Sequence, residues 1–120
     1  MIGNFKRPLE LLLGGLFFLF YFSQSYAGSQ VVDVEIFKFK YSPEVVIVNV
    51  GDTVRWINKE KRQYHSVQFN QDGFSDKPVK SEYLFPGEAW EYTFTKQGDY
   101  SYLCGPHPEM LGKVNVVVAP

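Results

Sequence analysis

Cys104, His107 and Met110 stand at intervals of three in the run Cys104-Gly105-Pro106-His107-Pro108-Glu109-Met110, which holds the chain's one cysteine. A thiolate, an imidazole and a thioether this close together form a soft donor set. Such donors select soft or borderline metals, and two histidines with one cysteine and a weak axial methionine describe an electron-transfer copper site. The run lacks one histidine, and the chain has one other, His65; its only other methionine is the initiator. The candidate metal ligands are therefore His65, Cys104, His107 and Met110, with nothing left over.

Each of these residues has an ordinary alternative. A lone cysteine often packs as a small hydrophobe and a methionine as a gap-filler, and a lone histidine is more often surface or core filler than a ligand. The joint pattern outweighs these readings, because every cysteine, every histidine and every non-initiator methionine falls into one ligand set. Zinc is the chemical competitor, but structural zinc sites use closed sets rich in paired cysteines. One cysteine with a methionine in register favours copper. Ligands three apart cannot converge from a regular strand, whose side chains alternate between faces. They converge from a tight loop, and Pro106 and Pro108 keep this run out of a hydrogen-bonded ladder.

The elements that must position such a loop read as short strands. Val31 to Phe37, Val45 to Val50, Thr53 to Ile57, Tyr64 to Phe69, Glu88 to Thr95, Tyr100 to Cys104 and Lys113 to Val118 are rich in β-branched and aromatic residues. Turn signals such as Gly51-Asp52, Pro86-Gly87 and Gly98-Asp99 separate them. Trp90, Tyr92 and Phe94 alternate with Glu91, Thr93 and Thr95, which predicts one buried face. This pattern in so short a chain predicts an all-β fold, a β-sandwich or small barrel. His65, at the start of a strand and across a turn from Trp56, then lies at one end of the fold, where a terminal loop meets it.

Residues 1–27 stand apart. Lys6 and Arg7 precede an apolar run from Leu11 to Phe22, and Ser25-Tyr26-Ala27 offers a small-x-small cleavage pattern, so the segment reads as a signal peptide. The run is shorter than the roughly 18–20 residues of a spanning helix, which leaves an uncleaved membrane anchor as the alternative. The domain is then 28–120, exported to the periplasm. Its mildly acidic balance argues against nonspecific nucleic-acid binding, and one cysteine cannot form an internal disulfide.

The ligand run with its flanks, Tyr100 to Met110 followed by Gly112-Lys113-Val114, resembles the ligand loop of the blue copper proteins (cupredoxins, plastocyanin/azurin-like). Asp52 to Asn58 and His65-Ser66-Val67 match in order and spacing, and the C-x2-H-x2-M loop is similar to the short loop of the amicyanins. The resemblance implies a Greek-key β-sandwich, one type 1 copper ion per chain and one-electron transfer, with His107 as the exposed ligand and electron port. It departs from relatives at Ser66, where an asparagine commonly fastens the two ligand segments together. Pro106 offers no N–H to the Cys104 sulfur, which tends to raise the potential.

The expected function is a monomeric one-electron carrier that docks transiently near His107 with donor and acceptor redox proteins. Lys59, Lys61 and Arg62 could steer an acidic partner, although with Glu60 among them the segment also reads as a solvated turn. Periplasmic copper delivery is the alternative function. Oxidase, reductase or Ser/His/Asp catalysis would need histidines beyond the two that the metal uses, so an enzyme is not expected.

Overall fold

The computed structural model describes residues 28–70 and 78–120; the expected signal peptide, 1–27, lies outside them. β1 (Val31–Phe37), β2 (Lys40–Ser42), β3 (Val45–Asn49), β4 (Thr53–Asn58), β5 (Gln68–Phe69), β6 (Ala89–Thr93), β7 (Gly98–Leu103) and β8 (Leu111–Val117) form two four-stranded sheets. Their orders are β2-β1-β4-β6 and β3-β8-β7-β5. β1 pairs parallel with β4 and β3 parallel with β8, while the other pairings are antiparallel. The chain therefore crosses between sheets rather than meandering within one, giving the expected Greek-key β-sandwich.

Alternation decides which face is buried. Val34 and Ile36 of β1, Val54 and Trp56 of β4, Tyr100 and Tyr102 of β7, and Val114 and Val116 of β8 all point into the core. Trp56 is its centre, with Phe69, Trp90 and Tyr102 rings at centroid distances of 5.9, 5.4 and 5.4 Å. Burying side chains of this size stabilises by about 1.5–3 kcal/mol each, and this chain has no internal disulfide to add to that. Gly112 of β8 lies under the Tyr102 ring, where an added Cβ would come within 2.3 Å of it. The strand passes there only because the side chain is absent.

Two expectations need correction. β2 was not foreseen, and the strand expected over 64–69 shrinks to Gln68–Phe69. His65 instead makes a single bridge to Leu84, and Val67 exchanges hydrogen bonds with Ser81 through its amide and carbonyl. The polar side chains of this stretch find partners that a regular ladder would deny them.

Candidate metal centre

The spacing of three is the spacing of turns. The His107 amide donates to the Cys104 carbonyl at 3.2 Å and the Met110 amide to the His107 carbonyl at 2.9 Å. Each residue pair therefore closes a four-residue turn, and Pro108 occupies the second position of the latter turn, where its fixed φ is favoured. The Cys104 amide donates to the Met110 carbonyl at 3.1 Å, pinching the ends of the loop together between β7 and β8. Cys104 and Met110 are buried, while His107 is half-buried.

His65 arrives from the other direction. It exchanges two backbone hydrogen bonds with Leu84, at 3.1 and 2.7 Å. The loop leading to it is organised by Asn58, a fully buried amide whose Nδ2 donates to the carbonyls of Gln63 and Leu84. Asn58 Oδ1 accepts the Glu60 amide at 2.9 Å. The carboxamide is thus satisfied on both sides, as a buried polar group must be.

These segments bring three of the four sequence-predicted residues to one point. One ligand atom from each of His65, Cys104 and His107 lies within 4.8 Å of the others. Cys104 Sγ is 3.6 Å from His65 Nδ1 and 3.7 Å from His107 Nδ1. Met110 stands at the end of the same loop, a buried residue 4% exposed. Two imidazole nitrogens converging on one thiol sulfur, with a buried thioether residue nearby in the chain, fit a copper ion by their donor chemistry.

Ser66 fastens the two ligand segments. Its amide donates to Cys104 Sγ at 3.4 Å, and its hydroxyl accepts the Gly105 amide at 2.9 Å. Its carbonyl accepts the Tyr41 hydroxyl at 2.6 Å. A serine therefore makes a cross-link between the two segments. Burial, reinforced by the charge of the neighbouring Cys104, pushes the Tyr41 phenol well above its usual range. It remains a neutral donor beside the sulfur.

Two residues at the site escaped the sequence reading. Phe39, 45% exposed, presents its ring edge-on to both imidazoles, with centroids 5.3 Å from His65 and 4.9 Å from His107. It occupies the two-residue hairpin between β1 and β2, where Lys38 and Phe39 have φ of 53° and 61°. A turn of this kind asks for Asn-Gly, so no sequence signal announced it. The second is Glu60, whose Oε2 lies 2.9 Å from His65 Nε2 and accepts the Phe39 amide at 3.0 Å. Burial opposes ionisation of Glu60, but the Phe39 amide, the His65 imidazole and the Lys38 amide together hold its pKa below the usual carboxylate range. Glu60 is turned inward, leaving Lys59, Lys61 and Arg62 as the exposed charges of their segment.

A family profile described as copper binding proteins, plastocyanin/azurin family, matches residues 29–117. Amicyanin of Paracoccus denitrificans is 40% identical over 95 residues, covering 76% of this chain and 72% of that protein. A plastocyanin of a Synechococcus species is 31% identical over 133 residues, covering 97% of each. Among solved structures, a reduced Cu(I) form of an amicyanin point mutant superposes with a TM-score of 0.68 at 37% identity. That match covers 78% of this chain and 87% of the other.

Proposed function

Since this chain belongs to the plastocyanin/azurin family of copper binding proteins, we propose that it is a one-electron carrier holding a single copper ion through His65, Cys104, His107 and Met110. The observation that carries this reading is the convergence of His65 Nδ1 and His107 Nδ1 on Cys104 Sγ, at 3.6 and 3.7 Å. When bound, copper supplies a Cu(I)/Cu(II) couple that takes up and gives up one electron. The chain supplies the rest. Ser66 and the tandem turns hold the ligands in place, so that little need move when the charge changes. Met110 would add a weak thioether donor, and Tyr41 and Ser66 give the sulfur a dry, hydrogen-bonded surround.

His107 is half-buried between Pro106 and Pro108, and with exposed Phe39 and Leu111 it makes an apolar face suited to brief docking of redox donors and acceptors. Transient redox interfaces are small, so steering matters. The inward turn of Glu60 favours an acidic partner approaching Lys59, Lys61 and Arg62. The same reading places the 28–120 domain in the periplasm after removal of 1–27. Catalysis is not part of it, since both histidines of the chain serve the metal.

Copper delivery is the rival function. It would need ligands free to move toward an acceptor, whereas here each ligand's backbone is tied by hydrogen bonds to another segment or within its own loop. The test is spectroscopic. Copper-loaded protein should show intense blue thiolate-to-copper absorption and a narrow-hyperfine EPR signal, and Cys104→Ser should abolish the colour. A colourless copper adduct of the unaltered protein would overturn the assignment. Fast copper transfer to an apo acceptor together with slow electron self-exchange would select delivery instead.

A further inference from the structure

Glu60 belongs to a run of charged residues, Lys59-Glu60-Lys61-Arg62, yet its side chain is only 9% exposed while its neighbours face solvent. Removing a carboxylate from water is costly unless hydrogen bonds replace the lost hydration. A glutamate on a surface segment can avoid that cost by turning outward. This one is turned in, with its amide held by Asn58 Oδ1 at 2.9 Å. Two contacts of one oxygen, Oε2, lead to the metal centre: His65 Nε2 at 2.9 Å and the Phe39 amide at 3.0 Å.

We propose that Glu60 is a positioning residue of the copper centre, its Oε2 fixing which nitrogen His65 offers to the metal and securing the turn that lays Phe39 over both imidazoles. The proposal rests on the copper reading above. A carboxylate only accepts hydrogen bonds, and a neutral imidazole carries a single proton. That proton therefore sits on Nε2, facing Glu60, and the lone pair sits on Nδ1. Nδ1 is the atom 3.6 Å from Cys104 Sγ. Carboxylates placed behind ligating histidines fix the tautomer and ring orientation and raise ligand basicity.

The second contact explains the backbone at Phe39. Left-handed backbone is unfavourable for a non-glycine residue, and such strain persists only where the surroundings impose it. Here the Phe39 amide is drawn to Glu60 Oε2, and the Lys59 amide donates to the Ile36 carbonyl at 2.8 Å just beside the turn. The segment before His65 thus grips the hairpin, and the Phe39 ring meets His65 and His107 at interplanar angles of 89° and 90°. One carboxylate oxygen couples a buried ligand to the apolar cap over both imidazoles.

Three variants test this. Glu60→Ala removes both contacts. Glu60→Gln keeps an accepting oxygen without the charge. Glu60→Asp is one methylene shorter and cannot span both donors from the same backbone. The His65 tautomer is read in apoprotein by proton–nitrogen NMR correlations of the imidazole, and Cu(I) affinity by competition with a chromogenic chelator. The unaltered protein should hold His65 in the Nε2–H form. Glu60→Ala should mix tautomers and bind Cu(I) about 10–100-fold more weakly, the effect expected of losing such a partner. Glu60→Gln should rescue the tautomer and recover part of the affinity. A Glu60→Ala protein with unaltered tautomer and an affinity within twofold of the parent overturns the proposal. If Glu60→Ala does not fold, Glu60→Asp decides: it should lose about tenfold or more, and parental affinity overturns the proposal. Failure of the copper reading would look different, because the unaltered protein would then neither turn blue nor compete for Cu(I).

Discussion

Replacing Ser66 with alanine tests the cross-link between the ligand segments. The hydroxyl accepts the Gly105 amide at 2.9 Å, and the residue is 4% exposed. Alanine leaves that amide without its protein acceptor, at a glycine that is exposed, so water can replace part of the bond. Losing an ordinary hydrogen bond costs about 0.5–1.5 kcal/mol, and in a domain of this size each kcal/mol lowers Tm by roughly 4–8 °C. Apo-Ser66→Ala should therefore lose about 0.5–1.5 kcal/mol in urea unfolding. Its copper form should remain blue, because the Ser66 backbone amide still donates to Cys104 Sγ at 3.4 Å.

Gly105 provides the internal control. A Cβ there would lie 3.0 Å from Ser66 Oγ and 3.4 Å from Gln68 Oε1. In the parent, Gly105→Ala presses on the hydroxyl and strains its hydrogen bond, at a cost of about 1 kcal/mol. In the Ser66→Ala background the tighter neighbour is gone and the methyl enters freed space. The double variant should be more stable than the sum of the single losses allows, by about 0.5–1 kcal/mol. Losses that add to within about 0.3 kcal/mol, or a Ser66→Ala protein as stable as the parent, would refute the cross-link.

Met110→Leu should retain blue copper with a changed reduction potential, and an unchanged potential in voltammetry would show that Met110 does not bind the copper. Lys38→Asn should stabilise the apoprotein by about 0.5–1 kcal/mol, because asparagine tolerates the left-handed backbone that Lys38 occupies at φ 53°; equal or lower stability in urea unfolding would show the turn to be unstrained there. Gly112→Ala should lose about 3 kcal/mol or more, since the new Cβ falls 2.3 Å from the Tyr102 ring, and a loss below about 1 kcal/mol would contradict that packing. If an acidic partner docks at Lys59, Lys61 and Arg62, Lys61→Glu with Arg62→Glu should slow the reaction with an acidic redox protein and reverse its dependence on ionic strength; an unaltered salt dependence would place docking elsewhere.

The grouping of His65, Cys104 and His107 was legible because their residue types are scarce: with one cysteine and two histidines, composition alone nearly closed the inventory. The main strands were legible where one face is buried, as in Val54-Arg55-Trp56 and Trp90-Glu91-Tyr92. β2 was not, because a three-residue edge strand carries too little alternation to register, and Lys38-Phe39 is the wrong chemistry for its turn. Tyr64 to Val67 looked like strand because its residues favour strands, but His65, Ser66 and Val67 find polar partners across the site instead of along a ladder. Glu60 was hidden by its neighbours. Among Lys59, Lys61 and Arg62 a carboxylate reads as solvated charge, and only the fold reveals that it turns toward an imidazole.

That concealment bears on how a site of this kind keeps its shape. The three converging residues are each restrained by protein groups: His65 by the Leu84 backbone and Glu60, Cys104 by Ser66 and Met110, and His107 by the Cys104 carbonyl and its own turn. Such restraints are made by protein groups alone and hold these residues in place independently of any bond to an ion. They also limit rearrangement when the charge of the centre changes by one. A delivery protein would gain from the opposite arrangement, with ligands on a segment able to swing toward an acceptor. The cross-links at Ser66 and Glu60 therefore do more than stabilise the fold. On the copper reading, loosening either one should speed copper loss and slow electron self-exchange, which chelator competition and self-exchange measurements on Ser66→Ala and Glu60→Ala would read.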